Sequence, residues 1–253
     1  PLPPFTTSTL QQTASSVCGF SPSRTMSLAQ SLYEGVNIGR DDNAVGLITY
    51  MRTDSVMVSR EAQQMAREFI SGEYGADFYP ATPNYFRSRN DAQEAHEAIR
   101  PTDVTITPKS LQGVLQPAAL RLYDLIWRRF VASQMATAQI EQRTAVVVSQ
   151  PPPAQQKRYE FTATASHVVF AGFLKVMELD IRKARESEKE EQEQSDEVES
   201  LPPLVIGENL ELIEWIHDRK ETKPPPRFTE AALVKVLEAN GVGRPSTYAS
   251  IIE

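Results

Sequence analysis

The apolar residues of this chain repeat at intervals of three and four up to about Met135 and at intervals of two from about Ala138 to Lys220, so no single fold class accommodates all of it. The first period puts an apolar stripe on a helix; the second puts an apolar face on a strand. Ser8 through Val17 fits a short helix. Pro22 through Glu34 repeats Met26, Ala29, Leu32 and Tyr33 and meets Gly35 where a C-terminal cap belongs. Ser59 fits the N-cap of a helix through about Ile70, with Ala62, Met65, Ala66, Phe69 and Ile70 as its stripe. Pro117 to Ser133 carries the widest apolar face, made by Leu120, Tyr123, Leu125, Ile126, Trp127, Phe130 and Val131.

In the second part, Thr144 to Ser149, Tyr159 to Ala165, Val168 to Val176 and Leu210 to His217 read as strands, with Pro151-Pro152-Pro153 as a break. Lys223-Pro224-Pro225-Pro226 ends that region. Thr229 then caps a helix through Asn240, with Leu233, Val236 and Leu237 facing inward and Gly241 closing it. Pro245 and Ser246 open a last helix. The pattern predicts a mixed α and β, multidomain chain.

The net charge of −7 argues at first against a nucleic-acid partner, but its location leaves the charge neither for nor against DNA. Residues 186–199 hold eight acids and one base, Lys189, which leaves 25 basic and 25 acidic residues elsewhere. The bulk charge therefore describes one acidic stretch, read as a disordered loop of about 182–200 or a frayed helix, because almost nothing apolar is available to dock it. No apolar run reaches bilayer length and no segment resembles a signal peptide. The single cysteine, Cys18, allows neither an internal disulfide nor a four-cysteine zinc module, and fits a reducing compartment. Pro1 is not an initiator methionine and Glu253 falls inside a helical pattern, which fits a segment of a longer protein.

The chemistry concentrates at Leu47-Ile48-Thr49-Tyr50-Met51-Arg52-Thr53-Asp54-Ser55. Leu47 to Thr49 read as a short buried strand leading to a turn at Thr53-Asp54-Ser55. In an extended segment Tyr50 and Arg52 project to the same side. A phenol with a pKa near ~10 is a poor nucleophile at neutral pH. A neighbouring guanidinium changes that by binding the phosphate under attack and neutralising charge on its oxygens. The plain alternative is packing by the tyrosine and a surface salt bridge by the arginine.

LITYMRTDS resembles the active-site signature of type IA DNA topoisomerases, in particular the bacterial topoisomerase I branch. PPFTTSTLQQ at 3–12, QEAHEAIRPT at 93–102 and GVGRPSTYASII at 241–252 match the same family in the same order, and KPPPRFTEAALVKVLE at 223–238 matches the segment before the last motif. Met51, where the topoisomerase III branch typically has proline, favours topoisomerase I. The resemblance implies that Tyr50 forms a 5′-phosphotyrosyl link to one DNA strand with Arg52 as its phosphate-binding neighbour, and that the enzyme relaxes negative supercoils without ATP. It brings His96 near the active site, as a residue that affects DNA handling. Arg100 either contacts phosphate or pairs with a nearby glutamate. Arg244, Ser246 and Thr247 are implied to lie against single-stranded DNA, Arg244 through its guanidinium and the other two as helix caps or phosphate donors. The hydroxyls and amides of Phe5 through Gln12 serve either a hinge or the DNA. Lys223 and Arg227 resemble basic positions flanking a groove.

The same resemblance implies an architecture. Residues 1–9 belong to a β-rich arch and 10–136 to a helical domain bearing Tyr50. Residues 137–222 return to the arch, and 223–253 begin a helical DNA-groove domain. The family's Mg²⁺ is bound by a toprim domain (a small α/β module) that precedes these motifs. No DxDxE-type triad occurs in this chain, so the segment alone is expected to be inactive and to hold no metal. DNA is the implied partner, especially single-stranded segments of negatively supercoiled DNA; no membrane is implied, and the full enzyme is expected to be monomeric. The implied location is the bacterial cytoplasm and nucleoid, or an organelle in a eukaryote. A topoisomerase III-like or reverse gyrase fragment, or a noncatalytic nucleic-acid-binding module of the same fold, are the competing identities.

Overall fold

The computed structural model describes all residues except 39–43, 88–95, 151–157, 178–196, 199, 218, 220, 223, 226 and 253. The chain divides into two compact units.

The first unit comprises Pro1–Thr137, Ala171–Ala184 and Phe228–Glu253. Helix α1 (Thr7–Thr13) starts from a reciprocal capping box: Thr9 N–H donates to the Thr6 hydroxyl and Thr6 N–H donates to the Thr9 hydroxyl. A π-helical turn, Ala14–Cys18, continues it and ends at Gly19, whose φ of 68° only glycine adopts without strain. Helix α2 (Pro22–Glu34) is capped by Ser21, with proline at its first turn. Helix α3 (Arg60–Glu73) is capped by Ser59, as its sequence predicts, and α4 (Pro117–Gln134) is the longest among the described residues. Leu122, Tyr123, Ile126, Phe130 and Val131 of α4 form the centre of a core shared with Leu10, Leu32, Leu47, Ile48 and Ile70. The polar ends of its aromatics are satisfied: Tyr123 Oη donates to the Ile106 carbonyl at 2.6 Å and Trp127 Nε1 to the Val104 carbonyl at 2.9 Å.

Helix α5 (Glu230–Ala239) is capped by Thr229 and packs on α1; α6 (Tyr248–Ile252) packs on α2. The inward face of α5 differs from the sequence expectation. Val234 is buried, whereas Leu233 and Val236 are exposed. The last helix also starts later than Pro245-Ser246, because the chain first makes a turn through Ser246 and Thr247.

The second unit comprises Ala138–Phe170 and Arg185–Arg227. Strand β1 (Gln139–Val148) pairs antiparallel with β2 (Glu160–Phe170), and β3 (Glu197–Val198) adds in parallel to β2, in the order β1-β2-β3. The expected pair of strands, 159–165 and 168–176, is a single strand that stops at Phe170. Gly172, at φ 48°, turns the chain, and residues 174–177 are helical. Leu210 to His217, expected as a strand, is coil with Ile213 94% exposed. Its β-branched residues satisfy a propensity, but no described segment supplies the ladder that a strand requires. Trp215 instead meets the Phe161 ring at 5.5 Å. The triple-proline break and most of the acidic stretch lie outside the described residues; Glu197 and Val198, expected within the loop, form β3.

Candidate active site around Tyr50

Tyr50 leaves the core on a short, firmly held segment. Leu47 N–H donates to the Leu32 carbonyl at the end of α2, at 2.8 Å. Ile48 forms an antiparallel bridge with Pro101. Thr49 N–H donates to the Arg100 carbonyl at 2.9 Å, and its hydroxyl to the Ala98 carbonyl at 2.7 Å. Leu47 and Ile48 are both buried, and from Tyr50 to Thr53 exposed and buried residues alternate: Tyr50 and Arg52 are exposed, Met51 and Thr53 buried. The buried neighbours fix the backbone and the exposed pair faces solvent.

The Tyr50 ring has two aromatic neighbours. Tyr33, near the end of α2, meets it edge-on, and the His96 ring lies 6.3 Å from it at a tilt of 33°. Tyr33 is a site residue that periodicity assigned to the apolar stripe of α2; it is 41% exposed, as is Tyr50. Arg52 is exposed and forms no ion pair among the described residues, so its guanidinium is available to an anion.

Arg100 has a different environment. Its Nη2 pairs with Glu97 Oε2 at 2.5 Å and its Nη1 donates to the Pro101 carbonyl at 3.0 Å. Glu97 Oε1 also accepts from the N–H of Ser59, the α3 cap, at 2.7 Å. The pair thus joins the segment after His96 to α3. Gln93, Glu94 and Ala95 of the same motif lie outside the described residues.

Arg244, Ser246 and Thr247 are exposed on the turn before α6. The Thr247 hydroxyl accepts from Arg244 N–H at 2.9 Å and lies 3.2 Å from the Arg244 carbonyl, so it closes the turn. Gly243 has φ 83°, and a Cβ there would come within 2.9 Å of Ile251 Cδ1. Arg227 is exposed, and Lys223 lies outside the described residues.

The Phe5–Gln12 segment contributes backbone support. Thr7 reaches the loop after Tyr50, with its hydroxyl 2.7 Å from the Met51 carbonyl. The Ser8 hydroxyl donates to Glu238 on α5 at 2.7 Å. These contacts join residues 44 and 230 positions apart, which no local pattern reveals. Among the described residues no group of three or more His, Cys, Asp or Glu converges as a metal site.

Fold and site together define a mixed α and β chain that holds a tyrosine out to solvent beside an arginine and an imidazole. A family model described as DNA topoisomerase matches residues 1–253. Among curated relatives, DNA topoisomerase 1 of Xylella fastidiosa is 46% identical over 254 residues, covering 100% of this chain and 30% of that protein. DNA topoisomerase 1 of Helicobacter pylori is 43% identical over 251 residues, covering 99% of this chain and 31% of that protein. Among solved structures, full-length topoisomerase I from Thermotoga maritima matches with a TM-score of 0.71 and 36% identity, over 100% of this chain and 37% of that one. The chain belongs to the DNA topoisomerase family. It spans about a third of the length of the curated relatives it matches.

Proposed function

We propose that the protein containing this chain is a type IA DNA topoisomerase and that this segment supplies its nucleophile. Tyr50 gives up its phenolic proton to solvent as Oη attacks a backbone phosphorus of single-stranded DNA, a P–O bond to tyrosine forms, and the bond to the 3′-oxygen breaks as that oxygen takes up a proton. One phosphodiester replaces another at little free-energy cost, so the freed 3′-hydroxyl reverses the step after a strand has passed. Torsional energy in negative supercoils drives the cycle and ATP is not needed. Arg52 binds the non-bridging oxygens as their charge grows. His96 and the Gly241–Thr247 turn contact the flanking strand, Arg244 through its guanidinium. Arg100 holds the His96 segment, because its guanidinium is committed to Glu97 and the Pro101 carbonyl.

Residues 10–136 act as the domain presenting Tyr50, 1–9 and 137–222 as parts of the arch that swings the cut ends apart, and 223–253 as the start of the DNA groove. Mg²⁺ and the proton donor to the departing 3′-oxygen belong to a toprim domain outside this segment. The enzyme acts as a monomer on chromosomal DNA.

The observation that carries this reading is the exposed Tyr50 and Arg52 pair on a backbone anchored by buried Leu47, Ile48 and Met51. The experiment is Tyr50→Phe in the full-length protein, with denaturant trapping of DNA adducts. The variant is expected to bind a single-stranded oligonucleotide and trap none; adducts at parent yield would refute the assignment.

A further inference from the structure

One hydroxyl, that of Thr7, bridges the two peptide groups that flank Arg52. Thr7 Oγ1 donates to the Met51 carbonyl at 2.7 Å and accepts from the Thr53 N–H at 2.9 Å. The Met51 carbonyl belongs to the peptide before Arg52 and the Thr53 N–H to the peptide after it. Peptide groups are planar, so the φ and ψ of Arg52 are the only soft torsions between the two. Fixing both planes fixes the direction in which the Arg52 side chain leaves the backbone. Thr7 N–H also donates to the Thr53 carbonyl at 2.9 Å, which holds the next peptide plane.

No regular structure does this work, since residues 50–53 belong to no helix or strand. Thr7 is 0% and Thr53 2% exposed, so water does not compete for these bonds. The anchor is itself rigid. Thr7 is the first residue of α1, directly after the Thr6 capping box, and the following residue, Ser8, is tied to Glu238 of α5.

We propose that Thr7 is a positioning residue for strand cleavage: its hydroxyl orients Arg52, and through Met51 Tyr50, toward the same phosphate. This rests on the reading of Tyr50 as the nucleophile. A merely structural threonine would affect folding and DNA binding together. A positioning one affects the chemical step alone.

The test places Thr7→Val, Thr7→Ser and Tyr50→Phe in a full-length protein that carries this chain. It reads single-turnover adduct formation on a single-stranded oligonucleotide, affinity for the same oligonucleotide, and melting temperature. Thr7→Val keeps the shape and removes the hydroxyl; it is expected to slow adduct formation on the order of 10²-fold, the cost of a misplacement of about 1 Å. Affinity stays at the parent value, and Thr7→Ser restores most of the rate. Should the valine variant not fold, Thr7→Ala, which leaves room for a water, takes its place. The parent rate without the hydroxyl would overturn the inference, as would rate and affinity falling together with no rescue by serine. The control separates the two levels. An adduct from Tyr50→Phe sinks the nucleophile assignment itself, whereas a silent Tyr50→Phe beside a fully active Thr7→Val sinks only the role of Thr7.

Discussion

The ring of Tyr33 meets the ring of Tyr50 edge-on, with centroids 5.5 Å apart and planes at 68°. Tyr33 is near the end of α2, which closes at Glu34. The pair therefore couples the position of the Tyr50 ring to a helix built into the core. Edge-to-face pairs contribute about 0.5–1.5 kcal/mol beyond area burial. Tyr33→Leu in the full-length protein is expected to slow adduct formation by about two- to tenfold, by the same interaction energy. Tyr33→Phe keeps the ring and the rate. Single-turnover cleavage of an end-labelled oligonucleotide measures both.

Arg52 has the geometry to bind phosphate with two parallel N–H donors, which lysine does not reproduce. Arg52→Ala is expected to lower the cleavage rate by about 10²–10³-fold, the usual effect of removing one preorganised donor to a developing oxyanion. Arg52→Lys recovers only part of the loss. A lysine variant at the parent rate would show that charge alone suffices and that the planar fork has no role.

The Glu97–Arg100 pair predicts a change in stability. The Arg100 side chain is 12% exposed and that of Glu97 32%, so removing the carboxylate leaves a guanidinium largely buried without its counter-charge. Breaking a fully buried pair costs about 3–5 kcal/mol, and the partial exposure of Glu97 reduces this to roughly 1–3 kcal/mol. Glu97→Ala also removes the acceptor of the Ser59 N–H. Its melting temperature is expected to fall, while Glu61→Ala, on the first turn of α3 and exposed, changes it little. Calorimetry on the two variants makes the comparison.

Tyr123 ties stability to alkaline pH. Burial in the core pushes its phenol well above the ordinary value of 10.0, with the Asp103 carboxylate adding to the rise. The folded state thus favours the neutral phenol, whereas the unfolded chain ionises near the ordinary value. Its contribution is fully present below about pH 10 and declines as pH rises from there toward the folded value. Tyr123→Phe removes that decline. The same variant loses the bond to the Ile106 carbonyl, so at neutral pH it is less stable by about 1–2 kcal/mol. Denaturation curves at neutral pH and above pH 10 check both signs.

Much of the helical unit was legible because its signals are local. Ser59 and Thr229 sit where an N-cap must, the prolines at 22 and 117 start helices, and the stripe of α4 matches its buried face except that Leu122 is buried and Leu120 only half-buried. The exposure of Tyr50 and Arg52 was legible from alternation, since Met51 and Thr53 between and beyond them are buried, whereas their role was legible only through the resemblance of the motif. What escaped depends on partners distant in sequence. Leu210 to His217 has the residues of a strand but no ladder, and Gly172 ends β2 through a backbone angle that its apolar neighbours do not announce. Tyr33 belongs to the helical stripe by spacing, yet it packs on Tyr50 at the helix end instead of entering the core. The hydroxyl of Thr7 acts across 44 and 46 positions, and nothing in PPFTTSTLQQ states where it points.

The most direct measurement is the chemical identity of the linked residue. A full-length protein carrying this chain is stopped with denaturant while turning over single-stranded DNA, digested with nuclease and protease, and the nucleotide-bearing peptide is sequenced by mass spectrometry. The nucleotide is expected on Tyr50, through the 5′-phosphate. A nucleotide on Tyr33, His96 or any other side chain would contradict the account.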